Sequence, residues 1–338
     1  MIIITGAAGF IGSNLVYYLN EMGQKNLILV DDFSSSEKHD NLRSTHYLMQ
    51  IDRGIFLAHF ENLAKQNAIT AIYHLGARTD TTAFDWNVFK ELNINYTKYI
   101  FQICTNYDIP LVYASSAATY GLGEYGYIDR HDIVEYLSPL NPYGKSKNDV
   151  DKWILTQEKK PSHWYGLKFF NVYGPNECHK KRMASVIFHA FHQIIATSKV
   201  KLFRSHRKHI AHGHQKRDFI YVKDVVKICH FLMEQKAISG IYNVGTGTAR
   251  TFLELAKATF AALNKKTNIE FIDTPQDIRD KYQYFTEADM RKMKETAAYP
   301  YHFYSLEAGV DDYINNYLLK KTNKNPIAMN NYLSNINK

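Results

Sequence analysis

Tyr143 and Lys147 stand four residues apart in Asn141-Pro-Tyr-Gly-Lys-Ser-Lys147. On a helix that spacing puts both side chains on one face. A phenol titrating at about 10 is a poor base at neutral pH, but a neighbouring ammonium and a cationic nicotinamide ring favour its phenolate. Lys147 can also hold a nicotinamide ribose. Ser116 lies in Ala114-Ser-Ser-Ala-Ala-Thr-Tyr-Gly121, directly after an apolar run. It can hydrogen-bond a hydroxyl undergoing oxidation, since open α/β sheets meet their ligands outside the carboxyl ends of the strands. Gly6, Gly9 and Gly12 come earlier, between a strand and a helix, with Asp31 nineteen positions past Gly12. Gly6 permits a tight turn, Gly9 admits a pyrophosphate close to the backbone, and Gly12 lets the helix pack on the strand. The helix N-terminus attracts the anion. The spacing is GxxGxxG, with the middle glycine one place from its position in GxGxxG. Any one of these features is weak by itself; in this order they point to hydride chemistry on a dinucleotide. Asp31 suits a ribose 2′-hydroxyl and hence NAD, while Lys38 and Arg53 lie where either can meet a 2′-phosphate. The residues alone leave NAD and NADP open.

The elements that must position these groups alternate along the chain. Residues 2–5, 26–30, 71–75, 110–114 and 165–170 read as strands. Helical periodicity covers 13–22, 54–67, 85–107 and 142–159. Strands alternating with helices of this length predict a doubly wound α/β fold with a parallel sheet and right-handed crossovers. Past Gly174-Pro175 the rhythm loosens. Helices are expected at 183–196, 224–234, 252–263, 287–295 and 306–317, with strands at 200–203, 241–244 and 269–272. The division expected is a dinucleotide-binding Rossmann domain (1–170 with about 219–245), a smaller α/β substrate lobe (about 171–218 with 246–320) and a disordered tail (321–338).

The 338 residues carry a formal charge of +8 and are 45% hydrophobic, too apolar for a disordered chain. No apolar run approaches the ~18 residues of a membrane helix, and the N-terminus lacks the basic region of a signal peptide. Neither a membrane nor nucleic acid is expected as a partner, because the positive excess is spread out and no aromatic RNA-binding signature occurs. Cys104, Cys178 and Cys229 are odd in number and far apart, which suits a reducing cytoplasm and offers no zinc spacing. His206, His209, His212 and His214 crowd a polar loop at 204–216 without cysteine or carboxylate companions, so no metal is expected there. Cys178 beside His179 is read as incidental.

Taken together, the glycine turn, the serine strand end and Tyr-x-x-x-Lys resemble the extended short-chain dehydrogenase/reductase superfamily. Tyr143-Gly-x-Ser-Lys147, Phe170-Asn-Val-Tyr-Gly-Pro175, Arg217-Asp-Phe-Ile-Tyr-Val222 and Tyr242-Asn-Val-Gly-Thr-Gly247 are similar to its sugar-nucleotide epimerases and dehydratases. Ser115–Gly121, His179-Lys180, Met183–Val186, Phe188-His189 and Tyr282–Asp289 resemble the branch that inverts C6 of an ADP-heptose. The resemblance runs from Met1 to about Tyr317. It implies that NADP takes a hydride from C6 and returns it to the other face of the ketone, with Tyr143 and Lys180 as acid/base groups and Ser116 assisting. Read without it, Lys180 belongs to a basic loop gripping a diphosphate. Also by resemblance, Gly6, Gly9, Phe10, Ile11, Gly12, Asp31, Asp32, Lys38, Arg53, Leu75, Gly76, Ala77, Arg78, Thr79, Asn93, Lys147 and Val172 contact the cofactor. Lys38 and Arg53 thereby favour NADP over NAD. Ser116, Asn171, Arg182, His189, Phe203, Arg217 and Tyr282 contact the substrate, with Arg217 chemically suited to fork two phosphate oxygens. Two departures stand out: Arg182 replaces a small hydroxyl residue, and loop 204–216 is longer than in some members. The resemblance further implies a cytoplasmic homo-oligomer, a pentamer in the family's familiar form, supplying heptose for the lipopolysaccharide inner core.

Two other readings compete. Another sugar-nucleotide enzyme of the same fold, such as a UDP-hexose 4-epimerase, would use the same Tyr143 and Lys147. A 4,6-dehydratase would want an Asp-Glu pair where Ala117-Ala118 stand. A catalytically silent dinucleotide-binding regulator would be marked by loss of Tyr143 or Lys147, and both are present.

Overall fold

Runs of Ile, Leu and Val without polar alternation form strands buried on both faces, the pattern of a parallel sheet. The computed structural model describes residues 1–66, 69–80, 85–279 and 282–324. It divides into two units. The first comprises Met1–Phe170, Val222–Gly245 and Ala288–Tyr301; the second comprises Asn171–Tyr221, Thr246–Glu287 and His302–Lys338.

The first unit is built on seven parallel strands: β1 (Ile2–Thr5), β2 (Leu27–Asp31), β3 (Met49–Asp52), β4 (Ala71–His74), β5 (Leu111–Ser116), β6 (Trp164–Phe169) and β7 (Gly240–Val244). Their order, β7-β6-β5-β4-β1-β2-β3, reverses direction of growth between β1 and β4, the switch point where such sheets bind ligands. Five helices cross over between strands: α1 (Phe10–Glu21), α2 (Arg53–Lys65), α3 (Tyr96–Asn106), α4 (Pro142–Thr156) and α5 (Val222–Glu234). Ile3, Ile28, Phe56, Phe60, Ile72, Phe101 and Leu111 join one core under α2 and α3.

The second unit holds three two-stranded pieces. Asn171–Tyr173 runs parallel to Phe219–Tyr221, Val200–Phe203 runs parallel to Ile269–Ile272, and Lys216–Arg217 runs antiparallel to Arg250–Thr251. Helices Val186–Thr197 and Phe252–Ala262 close a small core of Ala190, Ile194, Val200, Leu202, Ala256 and Phe260. Thr251 and Glu254 cap the second of these helices reciprocally.

Several elements differ from expectation. The helix expected over 85–107 carries a π turn at Lys90–Asn95, a bulge often found at functional sites. In place of a helix over 287–295, the backbone stays extended: the Asp289 N–H donates to the Tyr127 carbonyl, and Asn243 Nδ2 donates to the Asp289 carbonyl. Only Lys292–Thr296 coils, and residues 288–301 join the first unit, not the second. The helix from Leu306 continues to Lys324, so helical structure reaches past the start of the expected tail; residues 325–338 lie outside the described residues. Edge strand β3 escaped the sequence reading because its Met49, Gln50 and Asp52 are exposed. Among the described residues no helix is long and apolar enough to cross a membrane.

Candidate active site

In the first unit the candidate reacting groups sit where helix α4 meets the end of β5. Asn141 accepts from the Gly144 N–H at 2.8 Å and Pro142 takes the first turn, which fixes where α4 begins. Tyr143 therefore leads the helix, with Lys147 one turn on. Gly144 permits the close approach: a Cβ there would lie 2.7 Å from the Ala118 carbonyl oxygen, in the turn Ala117–Tyr120 that follows Ser116. Burial raises the Tyr143 phenol above its ordinary value, and the nearby Ser116 side chain acts against that rise. Lys147 is only 3% exposed. Burial lowers its ammonium to about 8, with the Asp151 carboxylate opposing the drop. Ser116 also accepts from the Ala118 N–H at 3.1 Å, which holds its side chain in the turn.

At the switch point, Gly6 takes φ +69°, and a Cβ on Gly12 would lie 2.1 Å from the Gly6 carbonyl oxygen. The turn abuts Leu75-Gly76, whose Gly76 N–H donates to Thr5 Oγ1 at 3.2 Å. Helix α1 starts at Gly9 with no capping side chain and no acidic residue in its first turn, an arrangement that receives a diphosphate. Phe10 and Ile11 open that helix. These residues fit a dinucleotide. Asp31 braces the turn: Oδ2 accepts from the Ala8 N–H at 2.9 Å, and Oδ1 accepts from the Asp32 N–H and from Lys38 Nζ at 2.7 and 2.9 Å. Arg53 pairs with Asp32 at 3.2 Å. A cavity of about 410 Å³ opens here, lined among others by Ala8, Phe33, Lys38, Leu42, Arg43 and Tyr47. Asn93, fully buried in the π turn, accepts from the Arg78 N–H at 2.8 Å and donates to the Arg78 carbonyl and to Ser146 Oγ. It thereby fixes the segment of Ala77, Arg78 and Thr79 beyond β4. His74, at the end of β4, bonds Thr5 and Thr97. Burial, helped by the charge of Lys147, lowers it to about 3.

The second unit carries the remaining residues on shorter pieces. Lys180 lies in the turn Cys178–Met183, and Lys181 beside it adopts φ 49°, ψ −121°, a conformation that favours glycine. Glu177, fully buried, accepts from the Ser185 N–H and Oγ at 2.6 Å each. Burial raises its carboxyl, and Lys180 foremost opposes the rise. Burial also lowers Lys180, against the pull of Glu177. His189 Nε2 lies 3.3 Å from the carbonyl of Arg182, whose side chain is exposed. Arg217 donates to the Lys216 and Gln283 carbonyls and lies 5.4 Å from the Tyr282 ring centroid, with Phe203 edge-on to the same ring. Arg217, Tyr282 and Phe203 are thus gathered. Val172 and Asn171 stand on the short strand, and the Asn171 N–H donates to the Asp218 carbonyl at 3.0 Å. His212 of the histidine-rich loop accepts from the Ser205 N–H.

Four buried charged residues around these sites went unread in the sequence: Asp151, Lys168, Glu177 and Asp218. Two left a signal. Lys168 interrupts the apolar strand Trp164–Phe169, and Asp151 follows Tyr143 and Lys147 at the same four-residue spacing along one helix face.

A parallel sheet with a glycine turn at its switch point and a Tyr-Lys-Ser group at a strand end defines a dinucleotide-dependent enzyme. The chain belongs to the NAD dependent epimerase/dehydratase family, whose model matches residues 2–245. More particularly, it is 45% identical over 336 residues to the ADP-L-glycero-D-manno-heptose-6-epimerase of Fusobacterium nucleatum, covering 95% of this chain and 99% of that protein. The enzyme of the same name from Nitratidesulfovibrio vulgaris is 42% identical, over 94% of this chain and 98% of its own. The solved structure of the Helicobacter pylori ADP-L-glycero-D-manno-heptose-6-epimerase superposes with a TM-score of 0.76 at 29% identity, covering 93% of this chain and 95% of that one.

Proposed function

We propose that this chain inverts C6 of ADP-D-glycero-D-manno-heptose to give ADP-L-glycero-D-manno-heptose, using one NADP that stays bound. The observation that carries the chemistry is the buried Tyr143 phenol close enough to Ser116 to be lowered by it, with the buried Lys147 one helical turn away. The choice of sugar nucleotide rests on similarity to the heptose epimerases over nearly the whole chain.

A bound nicotinamide supplies the hydride acceptor and, on return, the donor. Tyr143 as phenolate takes the C6 hydroxyl proton while C6 loses its hydride, leaving a 6-ketone. Ser116 holds the oxygen, and Lys147 keeps the phenolate accessible by its positive charge. Return of the hydride to the opposite face needs a proton on the new alkoxide, a role we assign to Lys180. Its ammonium, eased by burial, gives up a proton more readily than an exposed lysine. Arg217 and Tyr282 serve the diphosphate end of the substrate. Lys38 and Arg53, with Arg43 in the same cavity as Lys38, favour the 2′-phosphate of NADP over NAD. We further place the reaction in the cytoplasm, in a self-associated enzyme serving lipopolysaccharide inner-core synthesis.

The test is an NMR time course with ADP-D-glycero-D-manno-heptose and no added cofactor, followed by denaturation and chromatography of the released nucleotide. Inversion at C6 with equimolar NADP recovered is expected. Absence of inversion, even with NADP added, would sink the substrate assignment; recovery of NAD would sink the cofactor assignment.

A further inference from the structure

Ser116 and Tyr143 reach each other from different elements, a strand end and a helix start. Keeping Ser116 near enough to act on the phenol requires the two elements to be locked. One turn of α4 beyond Lys147, Asp151 lies fully buried against Lys168 of β6, which is 1% exposed. Lys168 Nζ donates to Asp151 Oδ2 and to Thr119 Oγ1, both at 2.7 Å, and sits 5.0 Å from the Tyr120 ring centroid. Asp151 accepts from Ser115 Oγ at 2.7 Å and from the Tyr113 hydroxyl at 3.0 Å. Thr119 Oγ1 in turn donates to the Ser116 carbonyl at 2.8 Å. The pair therefore joins three elements: α4 through Asp151, β6 through Lys168, and the end of β5 through Tyr113, Ser115 and the carbonyl of Ser116.

A buried ion pair is a poor source of stability, because desolvating both charges offsets most of their attraction. Apolar side chains of similar volume would serve the fold as well. Its placement is better explained by what it holds. We propose that the Lys168–Asp151 pair is the positioning device of the reacting centre, fastening the strand end that carries Ser116 to the helix that carries Tyr143 and Lys147 and turning a carboxylate toward Lys147. Two groups interact with the charge of Lys147: Asp151 one turn on, and His74 from β4, which is neutral above about 3. His131, near Asp151, is held by burial at about 4 and is also neutral at working pH. Asp151 is thus the anion that favours a charged Lys147.

This proposal rests on the roles given above to Tyr143 and Lys147, so its experiment includes a readout that needs no substrate. Asp151→Asn with Lys168→Met removes both charges together and leaves an amide to meet Tyr113 and Ser115. We expect a thermal midpoint within a few degrees of wild type, a kcat roughly 10- to 100-fold lower, and KM unchanged, as for a group acting through geometry on the chemical step. Nitrogen NMR titration of labelled lysine, with Lys147→Met identifying the resonance, should show the Lys147 ammonium titrating about one pH unit lower. Thr119→Val cuts one link without burying a charge, and should lower kcat severalfold at unchanged stability; it decides the matter if the double variant does not fold. Wild-type kcat with wild-type Lys147 titration in the double variant, or wild-type kcat in Thr119→Val, would overturn the proposal. Wild-type protein inert toward the ADP-heptose would instead sink the substrate assignment, and the titration would still judge the pair.

Discussion

In the first unit the groups proposed for cofactor binding and reaction stand on regular elements: a turn between β1 and α1, the start of α4 and the end of β5. In the second they stand on short strands and loops wrapped around buried carboxylates. Glu177 collects the backbone and hydroxyl of Ser185 into the loop that carries Lys180. Asp218 does the same for the segment after β7, accepting from the Thr246 N–H and Oγ1 at 2.7 Å and from the Gly247 N–H at 2.9 Å. The difference matches what each is proposed to recognise. A dinucleotide has the same diphosphate wherever it binds, and a helix N-terminus with close-packed glycines suffices for it. A particular sugar needs side chains aimed one at a time, and irregular backbone provides that once its N–H groups are satisfied internally.

The largest effect that would test this division is Tyr143→Phe. Turnover should fall about a thousandfold or more, the scale of a lost general base, while the dinucleotide stays bound through purification. Loss of the cofactor along with activity would show that helix α4 belongs to the binding machinery as much as to the chemistry. Next comes acid. His74 has its folded value lowered from 6.5 to about 3, so the unfolded chain binds the proton more readily. Stability should therefore begin to fall as pH drops below about 6.5 and level off below about 3, a loss on the order of 5 kcal/mol. Hydrogen exchange should show β1 and β4 losing protection before the helix Phe252–Ala262, and His74→Gln should flatten the slope; simultaneous loss would mean the units unfold together. The smallest is Asp218→Ala, which strands two backbone N–H groups and a hydroxyl at a cost of about 2–3 kcal/mol. Chemical denaturation should register this, whereas cofactor affinity should stay at the wild-type value. A weakened cofactor would break the division of labour.

What the sequence made legible follows the same line. Gly6, Gly9, Gly12, Ser116, Tyr143 and Lys147 are local motifs on elements with strong periodicity, so spacing alone assigns them a chemistry. Lys180, Arg217 and Tyr282 have no such frame, and only resemblance to known enzymes singled them out. Glu177 and Asp218 were missed because a buried carboxylate that accepts backbone N–H groups looks, in sequence, like any surface acid. The π turn at Lys90–Asn95 was invisible for a related reason: one extra residue per turn barely disturbs an apolar periodicity, yet it accompanies the buried Asn93 whose amide holds the Arg78 backbone. Residues 288–290 belong to a stretch, 287–295, whose sequence suits a helix. The hydrogen bonds from Asp289 to Tyr127 and from Asn243 to Asp289 outweighed that preference.

The interleaving of the two units bears on how the chain is made. Strand β7 covers the open side of β6, but it is synthesised some seventy residues later, after the whole of Asn171–Tyr221 has emerged. A nascent chain ending near Phe170 presents β6 as an edge, with unpaired backbone groups along an apolar strand. Biogenesis thus includes an interval in which the sheet is open to pairing with a neighbouring nascent chain, and fragments truncated between 170 and 240 should collect as aggregates unless a chaperone shields that edge.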